Sequence, residues 1–168
     1  MDNDTIDVGE ADGFVWVRVN GKGSFSTSPQ LKGYVEERLG GGETRFVVDL
    51  EHCPAMDSTF MGTLAGIAMK LSKVSGGKLQ LAGTSDRNRQ SLEDLGLDVL
   101  IDINPDGAEW SGHVGEVRSH LEQLTEKPNN SDARHVLEAH RLLCDANKSN
   151  IKKFATVLDV LEKELEDD

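Results

Sequence analysis

The sequence predicts an α/β domain with a mixed sheet of four or five strands, followed by a C-terminal helical extension. Two strand patterns separated by a turn open the chain, and they predict an antiparallel hairpin. From residue 45 onward the patterns alternate strand, helix, strand, helix, strand, which is the order of βαβ units with parallel strands. Beyond these units the apolar spacing becomes helical only, so we predict a domain over residues 1–107 and the extension over residues 108–168.

The opening hairpin and the first helix follow from local residue types. Residues 5–9 and 14–19 are rich in strand formers, and Ala11-Asp12-Gly13 between them is typical of a turn. Pro29 suits the first turn of a helix, and we expect that helix to continue to about Leu39, before three glycines end it.

The central strand and helix contain the stretch on which the functional prediction depends. Residues 45–50 are β-branched and aromatic, so they predict a buried strand. Residues 58–75 place apolar side chains three or four positions apart, which predicts a helix that Gly76-Gly77 end. The side chains that could cap its start are Asp57, Ser58 and Thr59.

Two glycines make one flank of this central helix small. Gly62 and Gly66 lie one turn apart beside Ala65, although a glycine costs about 1 kcal/mol relative to alanine in a helix interior. Two interpretations remain open. The helix packs closely onto the sheet, or it presents a flat surface on which a partner helix docks beside Ser58.

The last part of the α/β pattern is a strand, a helix and a strand. Residues 78–82 and 99–103 predict the strands, residues 86–95 predict the helix, and Gly96 ends it. A turn at residues 104–107 follows, because Asn, Pro, Asp and Gly are grouped there.

We predict three helices in the extension. Apolar residues in 114–124 recur by three and four, residues 127–130 break the pattern, and Ser131 caps a second helix that ends near Ala146. A wide apolar stripe needs a cover, so the extension either packs on its own domain or serves homodimerisation or partner docking. The stripe of the last helix consists of Ile151, Phe154, Leu158, Leu161 and Leu165.

Composition and charge exclude several kinds of partner. The 168 residues include 30 acidic and 18 basic side chains, a net charge of −12, so we expect no direct binding to nucleic acid or to an anionic membrane surface. No apolar run could cross a bilayer, and the acidic start of the chain is unlike a secretory signal. Cys53 and Cys144 do not indicate a disulfide framework, so we expect a reduced, cytoplasmic protein.

Catalytic and metal-binding patterns are missing from the sequence. It has no Gly-x-Ser-x-Gly elbow, no P-loop and no His-Glu-x-x-His. His140 and Cys144 share one helix face, but two ligands are too few for a structural zinc site. We therefore predict neither an enzyme nor a metalloprotein.

Ser58 has two interpretations, because it is a hydroxyl residue at the start of a helix that follows a strand. It could simply cap free backbone N–H groups. It could also be a phosphorylation site, since a helix N-terminus tolerates an anion and a phosphate would add about −1.5 to −2 charges. Beside Asp57, in an acidic protein, that charge would repel an acidic partner surface.

Residues 57–62, Asp-Ser-Thr-Phe-Met-Gly, resemble the phosphoacceptor signature of STAS domains, and more closely that of the bacterial anti-sigma factor antagonists. That signature is Asp-Ser-(Ser/Thr), two mostly apolar residues and a glycine, and the order of elements over residues 5–105 is also similar. The loop of residues 23–26 departs from the family, because Ser26 stands where an aspartate is usual. The partner-binding residues that the resemblance implies are Asp57, Ser58, Thr59, Phe60, Met61, Gly62 and Ser26.

The resemblance implies an anti-sigma factor antagonist. The unphosphorylated protein would bind an anti-sigma factor with serine-kinase activity and so release a sigma factor. The kinase would phosphorylate Ser58, with Thr59 as the rival acceptor, and a PP2C-type phosphatase would reverse the modification. ATP belongs to the kinase, so no cofactor is expected here. The alternative is a STAS-domain scaffold, or an accessory subunit of a transport or sensory complex, without phosphorylation.

Overall fold

The computed structural model describes residues 4–125 and 133–166. It confirms the predicted mixed α/β sheet with helices packed on it and further helices at the C-terminus. Its strands are β1 (Thr5–Ala11), β2 (Phe14–Asn20), β3 (Arg45–Asp49), β4 (Lys78–Ala82), β5 (Asp102–Ile103) and β6 (Glu122–Gln123). Its α-helices are α1 (Ser28–Gly40), α2 (Ser58–Ser72), α3 (Asp86–Asp94), α4 (Val114–Ser119), α5 (Ala133–Ala146) and α6 (Asn150–Glu166).

The sheet has the strand order β5-β4-β3-β2-β1-β6. β1 and β2 form the predicted antiparallel hairpin, whereas β2 to β5 pair in parallel through crossover helices. The sixth strand, β6, was not predicted and pairs antiparallel with β1. Its two residues satisfy backbone groups that would otherwise stay open at the edge of the sheet.

The single helix predicted over residues 114–124 is wrong, because α4 ends at Ser119 and the chain turns into β6. The helical spacing has another cause. Val117 and Leu121 pack against one face of the sheet, and Leu124 packs against the core on the other face. An edge strand that is flanked by apolar residues on both sides can thus imitate a helical repeat.

Both faces of the sheet are buried, because successive side chains of a strand point to opposite sides. Val15, Val17 and Val19 of β2 belong to the larger core, which lies beneath α1, α2 and α3. Phe14 and Trp16 face the other way, into a smaller core that residues 108–121 cover. Trp110 closes this smaller core by packing edge-on against Trp16, with ring centroids 5.3 Å apart.

Two other predicted elements are shorter in the structure. α2 ends at Ser72 rather than Ser75, and Gly76, with a φ of 74°, lies beyond it in the turn to β4. The strand predicted over residues 99–103 is reduced to β5, because residues 97–99 form a 3₁₀ turn that leaves Val99 84% exposed.

The C-terminal helices form a hairpin, α5–α6, that packs on the domain. α5 lies along α2, and α6 lies along α5. Packing on its own domain, one of the roles left open for the extension, is therefore observed. The break predicted at residues 127–130 and the cap predicted at Ser131 lie outside the described residues. In the part of the chain that is described, no helix has both the length and the apolar character that a bilayer requires.

Candidate functional site

Asp57 caps α2 and ties it to a neighbouring loop. One carboxylate oxygen accepts a hydrogen bond from the backbone N–H of Phe60 and the other accepts one from Phe25, each at 2.8 Å. The backbone of Gly23 adds two further bonds, to Ala55 and to Asp57. The start of α2 and the loop of residues 23–26 therefore form one rigid surface at the carboxyl end of β3.

Ser58 is the first residue of α2 rather than its cap, so the capping interpretation of its hydroxyl is wrong. The residue is half-buried, and its Oγ lies 2.8 Å from Nε2 of His140 on α5. The other ring nitrogen of His140, Nδ1, lies 2.7 Å from the carbonyl oxygen of Val136. A carbonyl only accepts, so in the neutral ring Nδ1 carries the hydrogen, and the hydroxyl of Ser58 donates a hydrogen bond to Nε2.

Most of the other predicted binding residues are buried. Phe60 is fully buried in the main core, and Thr59 and Met61 are 4% and 7% exposed. Ser26 is exposed on the loop of residues 23–26, and its neighbour Phe25 presents an aromatic ring that is 52% exposed. Of the predicted binding residues, Ser26, Asp57 and Ser58 thus contribute to the surface at this end of the sheet, next to Phe25.

Gly62 and Gly66 face α5 and not the sheet. A Cβ atom placed on Gly62 would lie 2.9 Å from the Cβ of Ala139, and one on Gly66 would lie 2.7 Å from Cδ1 of Leu142. Both distances are shorter than van der Waals contact. Gly62 also meets the backbone of Ala139, so glycine is required there for α5 to come this close, whereas the end of the Leu142 side chain could move away from a Cβ on Gly66. Of the two interpretations left open, packing of these glycines onto the sheet is not observed. They do form a flat surface, but the chain's own helix α5 lies on it, so docking of a partner helix there stays a prediction.

A second polar cluster lies on the opposite face of the sheet, around the fully buried carboxylate of Asp49. Arg118 donates two hydrogen bonds to Asp49, at 2.7 and 3.0 Å, and the indole N–H of Trp16 donates one at 3.1 Å. Hydrogen bonding to Asp49 raises the pKa of Arg118 above its usual value. These bonds fasten α4 to the sheet, so we assign the Asp49 cluster a structural role.

Two contacts between histidines of α5 and distant serines could not be found from the sequence. His140 was recognised as a member of a helix face, but its partner Ser58 lies 82 residues away. His135 lies earlier on α5, and its Nε2 is 2.7 Å from Oγ of Ser28. Among the described residues, no three His, Cys, Asp or Glu side chains are grouped so that they could hold a metal ion.

A family model and several solved structures are similar to this chain. The model of the STAS domain family matches residues 5–109. No curated protein matches the chain by sequence.

Solved structures share the fold at low sequence identity. A proposed anti-sigma factor antagonist from Thermotoga maritima has a TM-score of 0.57 and 22% identity, covering 67% of this chain and 94% of its own. An anti-sigma factor antagonist from Mycobacterium paratuberculosis has a TM-score of 0.54 and 24% identity, covering 68% and 93%. The phosphorylated form of the Bacillus cell fate determinant SpoIIAA has a TM-score of 0.50 and 19% identity, covering 67% and 99%.

Proposed function

The chain belongs to the STAS domain family, and from that premise we propose that it is an anti-sigma factor antagonist that phosphorylation of Ser58 switches off. The observation that carries the proposal is the position of Ser58. It is the first residue of α2, it follows the Asp57 cap, and it is half-buried rather than sealed in the core. Modification of this hydroxyl therefore requires no unfolding of α2 or of the sheet, only displacement of its contact with His140.

The electrostatics of this position favour a switch. A phosphate at the first turn of α2 would lie at the positive end of the helix dipole, which stabilises it in the free protein. It would also add about −1.5 to −2 charges beside Asp57, on a chain whose net charge is already −12. A partner that binds here would have to desolvate that dianion, so modification weakens the complex.

The docking surface of the proposal includes the loop of residues 23–26. Phe25 is exposed, and its backbone N–H is fixed by Asp57 next to Ser58. An exposed aromatic side chain on a rigid backbone is the kind of residue that often anchors an interface. The partner is an anti-sigma factor with serine-kinase activity, whose capture frees a sigma factor, and a PP2C-type phosphatase resets the protein.

Phosphorylation mapping tests the proposal. The purified protein is incubated with a serine-kinase anti-sigma factor and ATP, and the modified residue is identified by mass spectrometry. We expect phosphate on Ser58, with no incorporation in Ser58→Ala and undiminished incorporation in the control Thr59→Ala. Phosphate confined to other residues would contradict the switch.

One observation favours the alternative, a STAS-domain scaffold without phosphorylation. The proton of the Ser58 hydroxyl is already used in the bond to His140 of the same chain. Binding assays with Ser58→Ala and Ser58→Asp separate the two functions. If both variants bind the anti-sigma factor equally well, the charge of residue 58 does not control the complex and the scaffold is supported.

A further inference from the structure

The α5–α6 hairpin lies on the part of α2 that begins at Ser58, and we infer that it is a removable cover of this face. The Ser58 face consists of Ser58, Gly62 and Gly66, one turn apart along α2, and α5 contacts all three. In the closed arrangement the hairpin excludes any partner from this face. If the proposed function is correct, it also keeps the kinase from Ser58, so the hairpin regulates the switch.

The cover fits α2 closely through backbone approach and hydrogen bonds. Ala139 sits against Gly62, and Leu142 sits against Gly66. His140 accepts a hydrogen bond from the hydroxyl of Ser58, while Glu138 pairs with Lys32 of α1 at 3.2 Å. These polar contacts can be exchanged for water or for a competing helix, as is typical of interfaces that open.

The second helix of the hairpin adds little to the core. In α6 the one buried residue among those described is Asn150, while Ile151 and Val160 are 51% and 59% exposed. Asn150 donates hydrogen bonds to the carbonyl oxygen of Leu95 after α3 and to that of Leu143 on α5. The bond to Leu95 is a polar contact that opening would exchange for water.

The sheet and its two cores are formed mainly without the hairpin. The buried side chains of the larger core come from the strands, α1, α2, α3 and their loops; of the described hairpin residues Leu143 is among them, and Ala146 and Phe154 pack against it while partly exposed. The smaller core contains no residue of α5 or α6. Opening the hairpin therefore uncovers one face of α2 and leaves the sheet packed on both sides.

Closure and phosphorylation of Ser58 disfavour each other. A phosphoryl group on Oγ replaces the hydrogen that Ser58 donates to His140, so the closed arrangement loses that bond. The imidazole ring of His140 is itself only 4% exposed and packs edge-on against Phe154, with centroids 5.0 Å apart. By reciprocity, whatever opens the hairpin promotes modification, and modification promotes opening.

Hydrogen–deuterium exchange on the full chain tests the cover without any partner. In the wild type we expect amides of α5 and α6 to exchange at least about tenfold faster than those of β2, β3 and β4, because the hairpin opens as a separate unit. Exchange of α5 at the rate of the sheet would overturn the inference, since the hairpin would then open only with the whole domain.

A substitution on α5 should open the cover without changing any residue of the Ser58 face. Ala139→Leu places a larger side chain against Gly62, so we expect faster exchange in α5 and in the first turns of α2, with unchanged exchange in the sheet. The matched control is Ala155→Leu at an exposed position of α6, which should behave as wild type. His140→Ala is a milder second variant with the same expected direction. Unchanged exchange of α2 in both opening variants would overturn the inference.

Phosphorylation rates then test the regulatory role of the hairpin separately from the proposed function of Ser58. With a serine-kinase anti-sigma factor and ATP, we expect Ala139→Leu to be modified at Ser58 at least about fivefold faster than wild type or Ala155→Leu, in proportion to the open population. Equal rates in all three proteins would overturn the regulatory role while the proposed function stands. If exchange shows opening but no variant is phosphorylated, the proposed function fails and the cover stands.

Discussion

The buried carboxylate of Asp49 depends on one guanidinium more than on any other group. Arg118 supplies two of its hydrogen bonds, while the Nε of Arg18 lies 3.9 Å away. Arg118→Ala would leave this charge underpaired inside the protein, so we expect a loss of about 3 kcal/mol in the free energy of unfolding. Urea denaturation measures the loss.

The exposed pair Arg141–Glu162 provides the control for that prediction, with both side chains about half-exposed. Arg141→Ala should change the free energy of unfolding by less than about 0.5 kcal/mol, because solvent screens such pairs. Similar losses in the two variants would show that Asp49 does not need Arg118.

Single residues were predicted best where a local motif identifies them. Ser58 and Asp57 were found because a helix start after a strand, together with the residues of the motif, is visible in a few consecutive positions. The contact of His140 with Ser58 and the bonds of Arg118 and Trp16 to the buried Asp49 were not predicted. Their roles depend on which elements meet in the fold, and pairs separated by 69 or 82 residues leave no periodic signal in one sequence.

The start of α2 is an element held by a single side chain. Asp57 accepts hydrogen bonds from Phe60 in the first turn and from Phe25 in the neighbouring loop. Asp57→Ala removes both bonds, so we expect a loss of about 2 kcal/mol in the free energy of unfolding, at the upper end for an N-cap. Ser85→Ala is the comparison, because Ser85 caps α3 through one bond, to Asn88. We expect a loss of about 1 kcal/mol there, and the reverse order in urea denaturation would contradict the prediction.

Elements were predicted well where their own sequence determines them and poorly where a neighbour does. β1 to β4 and α1 to α3 follow from alternation, apolar spacing and turn residues. β5 and β6 have two residues each, and they exist because an adjacent strand offers open backbone groups. A strand of two residues has no recognisable pattern, so the helix-like spacing of the apolar residues around β6 led to the incorrect prediction of one helix over residues 114–124.

At the scale of the whole molecule, two C-terminal segments pack on the domain in different ways. Residues 108–121 lie directly on the sheet: Trp110 and Val117 fill the smaller core, and Arg118 bonds to Asp49. The α5–α6 hairpin lies on the helical layer and adds few side chains to a core. The sequence predicted a change of character after residue 107, but not that the first part of the extension belongs to the sheet. The domain boundary at residue 107 stays a prediction.

The two cysteines lie in different parts of the molecule, Cys53 in the main core and Cys144 on the hairpin. Cys53 is 2% exposed in the main core, whereas Cys144 is half-buried on α5. Burial raises the pKa of both thiols, so at pH 8 each holds less of the reactive thiolate than an exposed cysteine. Cys144 lies on α5, which opening separates from α2, whereas Cys53 belongs to the main core. We therefore expect opening to lower the pKa of Cys144 toward the ordinary value and to raise its rate of modification at fixed pH, with no change for Cys53.

Thiol labelling with Ellman's reagent therefore distinguishes a hinged hairpin from an indivisible fold. We expect Cys144 to react at least about tenfold faster than Cys53 in the wild type, because Cys144 is half-buried whereas Cys53 reacts only when the main core opens. Ala139→Leu should accelerate Cys144 and leave Cys53 unchanged, while Ala155→Leu should change neither. Cys144→Ser assigns the fast phase. A single common rate for both thiols, in every variant, would mean that the sheet and the hairpin open together.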